Sequence, residues 1–384
     1  MLNEKIKQLQ NLGFHGSYRP EDITFLLKKN SIQPTDVIQK ERLIQLGEVH
    51  YSQMLSVEKA PSATHLEHYQ EAFRLGATRM AQEIQQLGNS LMVRFPQQPI
   101  ILVSLVRAGV PVGVLLKHYI AQSQPCFHYG ISIVRDRGID HAALNAIIEA
   151  HGAENIVFVD GWTGKGAIGQ ELTHTLRHYP ALFDAGWSIP RLVTLADLAG
   201  CSWLSASTDD WLIPSGILGS VISGLTSRTI LLEQVSEQDA KKNCCNVDFW
   251  HSCILYDDLY PHDVSVDFIE KIRQKIHQNP TAQCVDWHID LCQAQQKICQ
   301  STIQSLCKKY NIQNINRIKP SIAEATRAVL RRVPDRILLK DDQDENVQLL
   351  RHFAEKNQIP IEVLGDALGP YKAVTLIKHI SGQQ

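Results

Sequence analysis

Short apolar runs and amphipathic stretches alternate through the middle of the chain. Four runs rich in β-branched residues end at Leu105, Val134, Asp160 and Asp197, and a stretch with helical spacing of apolar residues follows each of the first three. This alternation predicts an α/β domain with a parallel sheet and right-handed crossovers. Ligands bind such sheets at the carboxyl ends of the strands, so functional residues should follow the ends of these runs.

The flanking parts of the chain have different patterns. Residues 1–90 and 250–300 read mainly as helices, and the last part gives a strand, an acidic turn, an amphipathic helix and another strand. A chain of 384 residues exceeds what one hydrophobic core usually serves. We therefore predict a domain over residues 1–275 with a helical N-terminal segment, a helical linker over 276–305 and a smaller α/β domain over 306–384.

Charge and hydropathy exclude some classes of function for this protein. The net charge of −2 excludes electrostatic nucleic-acid binding by the protein as a whole, although residues 308–340 carry nine basic residues against Glu324 and Asp335. No window approaches the roughly 20 apolar residues that span a bilayer, so no membrane partner is expected. The start of the chain lacks the pattern of a secretory signal, which predicts a cytoplasmic protein.

The nine cysteines form no C-x-x-C pair, and we expect reduced thiols. Cys292, Cys299 and Cys307 are spaced seven and eight apart, which predicts a buried helical stripe and no metal site. A cysteine hydrolase stays open as an alternative function because thiols and sixteen histidines are present. No cysteine, however, has the local context of a known nucleophile family.

The first candidate loop follows the run that ends at Asp160. It reads Gly161-Trp162-Thr163-Gly164-Lys165-Gly166 and leads into a predicted helix. Glycines let backbone N–H groups approach a phosphate, a threonine adds a hydroxyl donor, and the helix N-terminus adds a favourable dipole. A carboxylate at the strand end can bind ribose hydroxyls or support hydrated Mg²⁺. The loop therefore predicts a sugar-phosphate site.

Two other nucleotide-binding patterns compete for this loop. Residues 164–169 satisfy G-x-G-x-x-G with Asp184 about 20 residues on, which leaves an NAD-binding oxidoreductase as an alternative. Two further βα units precede the loop, whereas that fingerprint normally belongs to the first unit of its fold. A P-loop fails because Val159 and Gly166 occupy positions that need glycine and a hydroxyl residue.

A second loop follows the run that ends at Leu105. The segment Ser104–Gly113 offers a glycine-containing turn and Arg107, whose planar guanidinium suits a pair of anionic oxygens. Two phosphate-type loops at neighbouring strand ends predict a ligand with phosphate at both ends.

These segments resemble a known enzyme family. IVFVDGWTGKGAI resembles the phosphoribosyl-pyrophosphate loop of the type I phosphoribosyltransferases, and SLVRAGVPVG resembles their pyrophosphate loop. The flanking segments GSYRPEDITFLL, HYSQMLSVE and WLIPSGILGSVISGLTSRT resemble one bacterial subfamily, found in tellurite-resistance and stress-response gene neighbourhoods. In that subfamily the enzyme domain precedes a Pelota-type RNA-binding domain.

The resemblance implies a reaction. Ribose 5-phosphate would pass from phosphoribosyl pyrophosphate to a nucleobase-like nitrogen acceptor, with Mg²⁺ as cofactor and a homodimer as a common arrangement. Asp160 and Arg107 would act in catalysis, with Arg135 and Arg137 on a mobile closing loop. The residues implied as ligand contacts are Leu105, Val106, Ala108, Gly109, Gly161, Thr163, Gly164, Lys165 and Gly166. Because Gly161 stands where most members have a second acidic residue, a non-catalytic phosphoribosyl-pyrophosphate sensor that binds RNA is an alternative.

The end of the chain carries the second resemblance. Ile359-Pro360 and Leu368-Gly369 match the Ile-Pro segment and Leu-Gly turn of Pelota domains and related ribosomal proteins that bind kinked RNA. RNA recognition needs cations that contact phosphates. We predict that Arg327, Arg331 and Arg332 provide them.

Overall fold

The first domain is built on a mainly parallel sheet. The computed structural model describes residues 2–232, 235–279 and 282–379. Seven strands form the main sheet in the order β1-β4-β3-β7-β9-β10, with β8 beside β9, while β2 pairs with β11 and β5 with β6. The strands are β1 Thr24–Phe25, β2 Lys28–Lys29, β3 Ile100–Leu105, β4 Cys126–Ile131, β5 Ile133–Val134, β6 Gly138–Ile139, β7 Ile156–Val159, β8 Trp162–Thr163, β9 Leu192–Asp197, β10 Leu204–Ser207 and β11 Ser252–Cys253.

Helices cover both faces of this sheet. They are α1 Leu2–Leu12, α2 Val37–Leu46, α3 Ala63–Arg94, α4 Gly109–Ile120, α5 His141–His151, α6 Ala167–Leu176, α7 Glu237–Lys242 and α8 Ser265–Gln278. Along β3, Ile100 and Leu102 pack with α3 and α4, whereas Ile101 and Val103 pack with α5 and α6. Every residue of β3 is buried, because a parallel sheet is covered on both sides. The predicted α/β fold with parallel strands is confirmed.

The second domain is a smaller mixed sheet with helices. Its elements are α9 Ile289–Lys309, β12 Ile318–Pro320, α10 Ile322–Arg331, β13 Pro334–Leu339, α11 Gln348–Lys356, β14 Ile361–Val363 and β15 Ala373–Ile377. The strand order is β12-β15-β13-β14, and β13 pairs in parallel only with β14. Helix α9 continues from the predicted linker into this domain. Cys292 and Cys299 on α9 are buried and Cys307 is half-buried, as their spacing predicted.

The second domain packs on the end of the main sheet where the strands terminate. Gln295 on α9 donates to the carbonyl of Leu198 at 3.1 Å. The buried carboxylate of Asp210 accepts hydrogen bonds from the amides of Ile322 and Lys372 at 3.0 and 2.9 Å. These contacts place the two domains around the carboxyl ends of the strands. None of the described helices combines the length and the apolar character needed to cross a bilayer.

Candidate functional site

A cavity of about 770 Å³ lies between the domains, and we call it the interdomain cleft. Its walls come from the ends of β3 and β7, the β5–β6 hairpin, the N-terminal segment around α2, and helix α10 of the second domain. The predicted site residues that line it are Leu105, Val106, Arg107, Ala108, Arg135, Arg137, Asp160, Thr163, Gly164, Lys165, Gly166, Arg327, Arg331 and Arg332. The structure therefore brings together both predicted loops and the predicted RNA-binding arginines.

Two of the residues predicted as ligand contacts, Gly109 and Gly161, pack between the two loops. A Cβ atom at Gly109 would collide with the carbonyl of Val159, so only glycine lets α4 start this close to the neighbouring strand end. A Cβ atom at Gly161 would lie 3.1 Å from the carbonyl oxygen of Ala108. Neither glycine lines the cleft as the structure describes it. Both hold the two loops against each other.

Thr163 and Lys165 form contacts within the protein that the sequence does not predict. The hydroxyl of Thr163 donates to Asp197 at 2.6 Å and accepts from the amide of Ala199 at 3.0 Å. Its proton therefore already forms a hydrogen bond within the first domain. The ammonium of Lys165 donates to the carbonyls of Ile315 and Ile318 at 3.1 and 2.8 Å. These side chains fix the loop and join it to the second domain. That Thr163 and Lys165 contact a phosphate stays a prediction.

The backbone of the same loop keeps free donors. Within the described ranges, the amides of Gly164, Lys165 and Gly166 donate to no protein group. Gly166 has a φ of +82°, in the left-handed region that favours glycine, directly before α6 begins. Unpaired amides before a helix N-terminus suit an anion.

Asp160 lies at the base of this loop. Its carboxylate accepts a hydrogen bond from the amide of Gly161 at 2.8 Å. Burial raises the pKa of Asp160 to about 7, although the Gly161 amide and the charge of Arg327 act in the opposite direction. The carboxyl group is therefore partly protonated near neutral pH.

Arg107 is buried and already has a carboxylate partner. Its guanidinium donates to the carbonyl of Thr226 at 3.0 Å and contacts Glu58 at 2.9 Å. Glu58 also accepts from the amide of Ser220 at 2.6 Å. Burial alone would raise the pKa of Glu58, but Arg107, Arg331 and the Ser220 amide lower it to about 2. Glu58 was missed in the sequence because it lies in a polar segment 49 residues before Arg107.

The predicted closing loop is the β5–β6 hairpin, and it is tied down on both sides. Arg135 donates to Asn316 of the second domain at 3.0 Å, and its guanidinium lies 5.1 Å from the ring centroid of Tyr51. Its backbone amide donates to the hydroxyl of Tyr51 at 2.8 Å. Arg137 is exposed at the rim of the cleft.

The three arginines predicted to bind RNA face the cleft. Arg327 stacks on Trp162 at 4.6 Å from the ring centroid and donates to the carbonyl of Gly216 at 3.1 Å. Arg332 forms a two-oxygen ion pair with Glu41 on α2, with one contact at 2.8 Å. Arg331 lies 3.9 Å from Glu58. Helix α10 and the residue after it present these arginines to the first domain, and RNA contact by them stays a prediction.

The cleft carries a strong surplus of positive charge. The lining contains eleven cationic and five acidic residues, an excess of six formal charges. The cations are Lys40, Arg107, Arg135, Arg137, Lys165, Arg228, Arg317, Lys319, Arg327, Arg331 and Arg332, and the acids are Glu41, Glu48, Asp136, Asp160 and Glu324.

This donor set does not fit the Mg²⁺ that the resemblance implied. Of the five carboxylates that line the described cleft, Glu41, Asp136 and Glu324 are paired with cations, and Glu48 is exposed just after α2. Asp160 is partly protonated near neutral pH, whereas Mg²⁺ prefers ionised oxygen ligands. A cation would also enter a field that is already positive.

The cysteines lie outside the cleft lining. All nine are free, and only Cys245 and Cys284 are exposed. No cysteine forms a hydrogen bond with a histidine among the described residues. Cys201 packs behind the loop, where a Cβ atom at Gly169 would collide with its Sγ atom, and its Sγ lies 3.9 Å from Asp197. Burial raises the pKa of Cys201 well above its usual range.

Comparison with known proteins decides the family. Residues 16–273 match the family model described as tellurite-like stress resistance cysteine protease StiP. The chain belongs to the StiP family. Cysteine protease StiP of Acinetobacter baylyi is 55% identical to it over 370 residues, which cover 96% of this chain and 95% of that protein. Residues 297–379 match the PELOTA RNA binding domain, and no solved structure matches the chain.

This membership corrects the predicted function. The type I phosphoribosyltransferase assignment, its reaction and its enzyme class were wrong, because both the family model and the curated relative describe a cysteine protease. The cysteine hydrolase alternative was closer. The error has a physical origin, since glycine-rich loops at the ends of parallel strands serve many different reactions. The association with tellurite and stress resistance and the C-terminal Pelota-like domain are confirmed.

Proposed function

We propose that this StiP family member is a thiol-dependent peptidase that acts in stress resistance. The observation that carries the proposal is the 55% identity to a cysteine protease over nearly the whole of both chains. A thiol peptidase needs a cysteine that can meet the substrate as thiolate. The candidate must therefore be sought among the nine free thiols.

Cys201 is the thiol that we propose as nucleophile. It follows the end of β9, on the side of the sheet where the cleft lies, and its Sγ atom packs against the glycines of the cleft-lining turn at 166 and 169. Asp197 lies 3.9 Å from the sulfur, and burial together with the charge of Asp197 raises the pKa of the thiol, so the thiolate has to form after the surroundings of Cys201 change. Because Cys201 is only 5% exposed, activity on this proposal requires the turn to move when substrate binds.

The test is peptide cleavage by the full-length protein under reducing conditions. A peptide library from digested bacterial proteins, read by mass spectrometry, samples many cleavage sites. We expect new termini with the parent and with Cys245→Ser, an exposed-thiol control, and at least a hundredfold fewer with Cys201→Ser. Cleavage retained by Cys201→Ser would overturn the choice of nucleophile. Absence of new termini with the parent would overturn the peptidase proposal.

A second function, RNA binding, is supported by the PELOTA match at residues 297–379. Since Arg327, Arg331 and Arg332 face the cleft, we propose Lys309 and Arg336 beside β14, which both pair with Glu362, as the RNA contacts. The ammonium of Lys309 and the guanidinium of Arg336 lie 5.3 and 5.5 Å from the ring centroid of Tyr310. Cations around an aromatic ring can contact phosphates and stack on an unpaired base.

Fluorescence anisotropy with a kinked-helix RNA tests this surface. We expect Lys309→Glu with Arg336→Glu to weaken binding at least tenfold and to reduce its salt dependence. Lys356→Glu, on α11 of the same domain, serves as the matched control and should change affinity less than threefold. Equal losses of RNA affinity for both variants would show that binding depends on the net charge of the domain and not on this surface.

The sheet and the thiols support two finer proposals. The order β4-β3-β7-β9, all parallel, supports a chain path like that of the type I phosphoribosyltransferases, without their activity. Nine free cysteines support a reducing, cytoplasmic location. An experimental structure and cell fractionation test these two proposals.

A further inference from the structure

The second domain supplies cations to the cleft that lack full compensation. Among the described residues, the guanidinium of Arg327 has no carboxylate within ion-pair distance and donates only to the carbonyl of Gly216. Arg331 has only Glu58, at 3.9 Å, and that carboxylate already binds Arg107 at 2.9 Å. Lys319 is buried and lies 3.6 Å from Glu324.

Such a cluster is unfavourable without a counter-charge. Burial first, and then neighbouring cations, lower the pKa of Lys319 to about 7 and the pKa of Arg331 to about 10. Arg327 is affected in the same way, with a pKa of about 9. Each lowered pKa means that the positively charged form of the side chain is destabilised in this cluster. A bound anion would stabilise that form.

Neutral donors complete the same cavity. The amides of Gly164, Lys165 and Gly166 are unpaired within the described residues and line the cleft with the arginines. Backbone amides of this kind bind phosphate oxygens without adding charge. The cleft thus offers a cationic wall from the second domain and a donor-rich turn from the first.

We propose that the interdomain cleft binds a small ligand carrying two or more phosphate groups and thereby holds the two domains together. One phosphate group is placed between Arg327 and Arg331, and another at the amides of Gly164–Gly166. Two phosphate groups carry roughly three to four negative charges at neutral pH, within the lining's surplus of six formal positive charges, or five once the Glu58 carboxylate beside Arg107 is counted. This inference does not depend on the peptidase proposal.

The size and position of the cleft favour a small ligand over RNA. A volume of about 770 Å³ lies within the range of small-molecule sites, which is about 300–1,000 Å³. Arg332 and Lys165 tie the two domains together across the cleft, through Glu41 and through the carbonyls of Ile315 and Ile318. A folded RNA would have to separate these contacts before it could enter.

Calorimetric titration of the full-length protein tests the site. The probes are sodium tripolyphosphate, pyrophosphate, orthophosphate and sulfate, each in buffer containing EDTA and again with Mg²⁺. We expect the two condensed phosphates to bind at least tenfold more tightly than orthophosphate or sulfate without Mg²⁺. Arg327→Gln and Arg331→Gln should each weaken pyrophosphate binding at least tenfold. The matched control is Arg351→Gln, an arginine of the same domain that lies outside the cleft and pairs with Glu355.

Three outcomes would overturn the proposal. One is equal affinity for orthophosphate and the condensed phosphates, and another is no heat from any probe. The third is an RNA oligonucleotide without a terminal phosphate that binds with the same dependence on Arg327 and Arg331. Thermal melting of each variant, with a midpoint close to that of the parent, confirms that lost binding is not lost folding.

Discussion

Replacing Glu58 by glutamine should destabilise the protein in a strongly pH-dependent way. The pKa of Glu58 is about 2 in the folded protein against an ordinary value of 4.5. A depressed pKa stabilises the fold above the unfolded value and loses that contribution as pH falls through the folded value. The shift corresponds to about 3 kcal/mol of stability at pH 7, falling to about 1 kcal/mol at pH 3.

Urea unfolding of the parent and Glu58→Gln at pH 7 and pH 3 measures both values. Gln keeps the shape of the side chain while removing the charge that faces Arg107 and Arg331, so the variant should lose nearly the whole contribution at pH 7. Glu67→Gln, an exposed change on α3, is the matched control and should change stability by less than about 0.5 kcal/mol. A loss for Glu58→Gln that is the same at both pH values would refute the electrostatic explanation.

Three further variants test other contacts. Asp160→Asn should stabilise the protein at pH 8 but not at pH 4, because a carboxyl group with a raised pKa costs stability as pH rises from about 4 to about 7. Urea unfolding measures the difference in the free energy of unfolding. Arg332→Ala leaves the buried Glu41 with a hydrogen bond from Gln45 but without its ion pair, and should cost about 3–5 kcal/mol in the same assay. Tyr371→Phe removes a hydrogen bond to the carbonyl of Gly164, worth about 1 kcal/mol, and should speed iodoacetamide labelling of Cys201 up to about fivefold.

Each of these variants has a matched partner. For Asp160→Asn, the parent at pH 4 is the internal reference, and a stabilisation equal at both pH values would contradict the pKa argument. Arg336→Ala removes a more exposed ion pair of the second domain and should cost less than about 1 kcal/mol. Tyr310→Phe removes a hydroxyl that contacts Glu362 at 2.8 Å and should leave Cys201 labelling unchanged. An equal labelling rate for Tyr371→Phe and the parent would show that the hydrogen bond from Tyr371 to Gly164 does not limit access to Cys201.

Much of the first domain could be predicted because its signals are local. The apolar runs ending at Leu105 and Asp160 are strands in neighbouring positions of one parallel sheet. Their loops therefore had to meet at the same edge. The stripe on α9 was equally predictable, since seven- and eight-residue spacing places Cys292 and Cys299 on one helical face.

Contacts between distant parts of the chain could not be predicted in this way. Glu58 reaches Arg107, and Glu41 reaches Arg332 across 291 residues, with no pattern in the sequence that joins either pair. The position of Arg327, Arg331 and Arg332 in the cleft could not be predicted, because spacing shows which face of a helix a residue occupies but not what covers that face. The activity was misjudged for a related reason, since loop composition indicates an anion site and leaves the reaction open.

The charge of the cleft belongs to the assembled protein and to neither domain alone. The first domain contributes six cations and four acids to the lining, whereas the second contributes five cations and Glu324. The strand-end face is therefore nearly balanced until α10 packs over it. An isolated first domain would lose most of the positive field, and an isolated second domain would expose Arg327 and Arg331 to solvent and to nucleic acid. Binding measured on fragments would then report sites that the whole chain does not present, so anion, RNA and peptide assays all require the full-length protein.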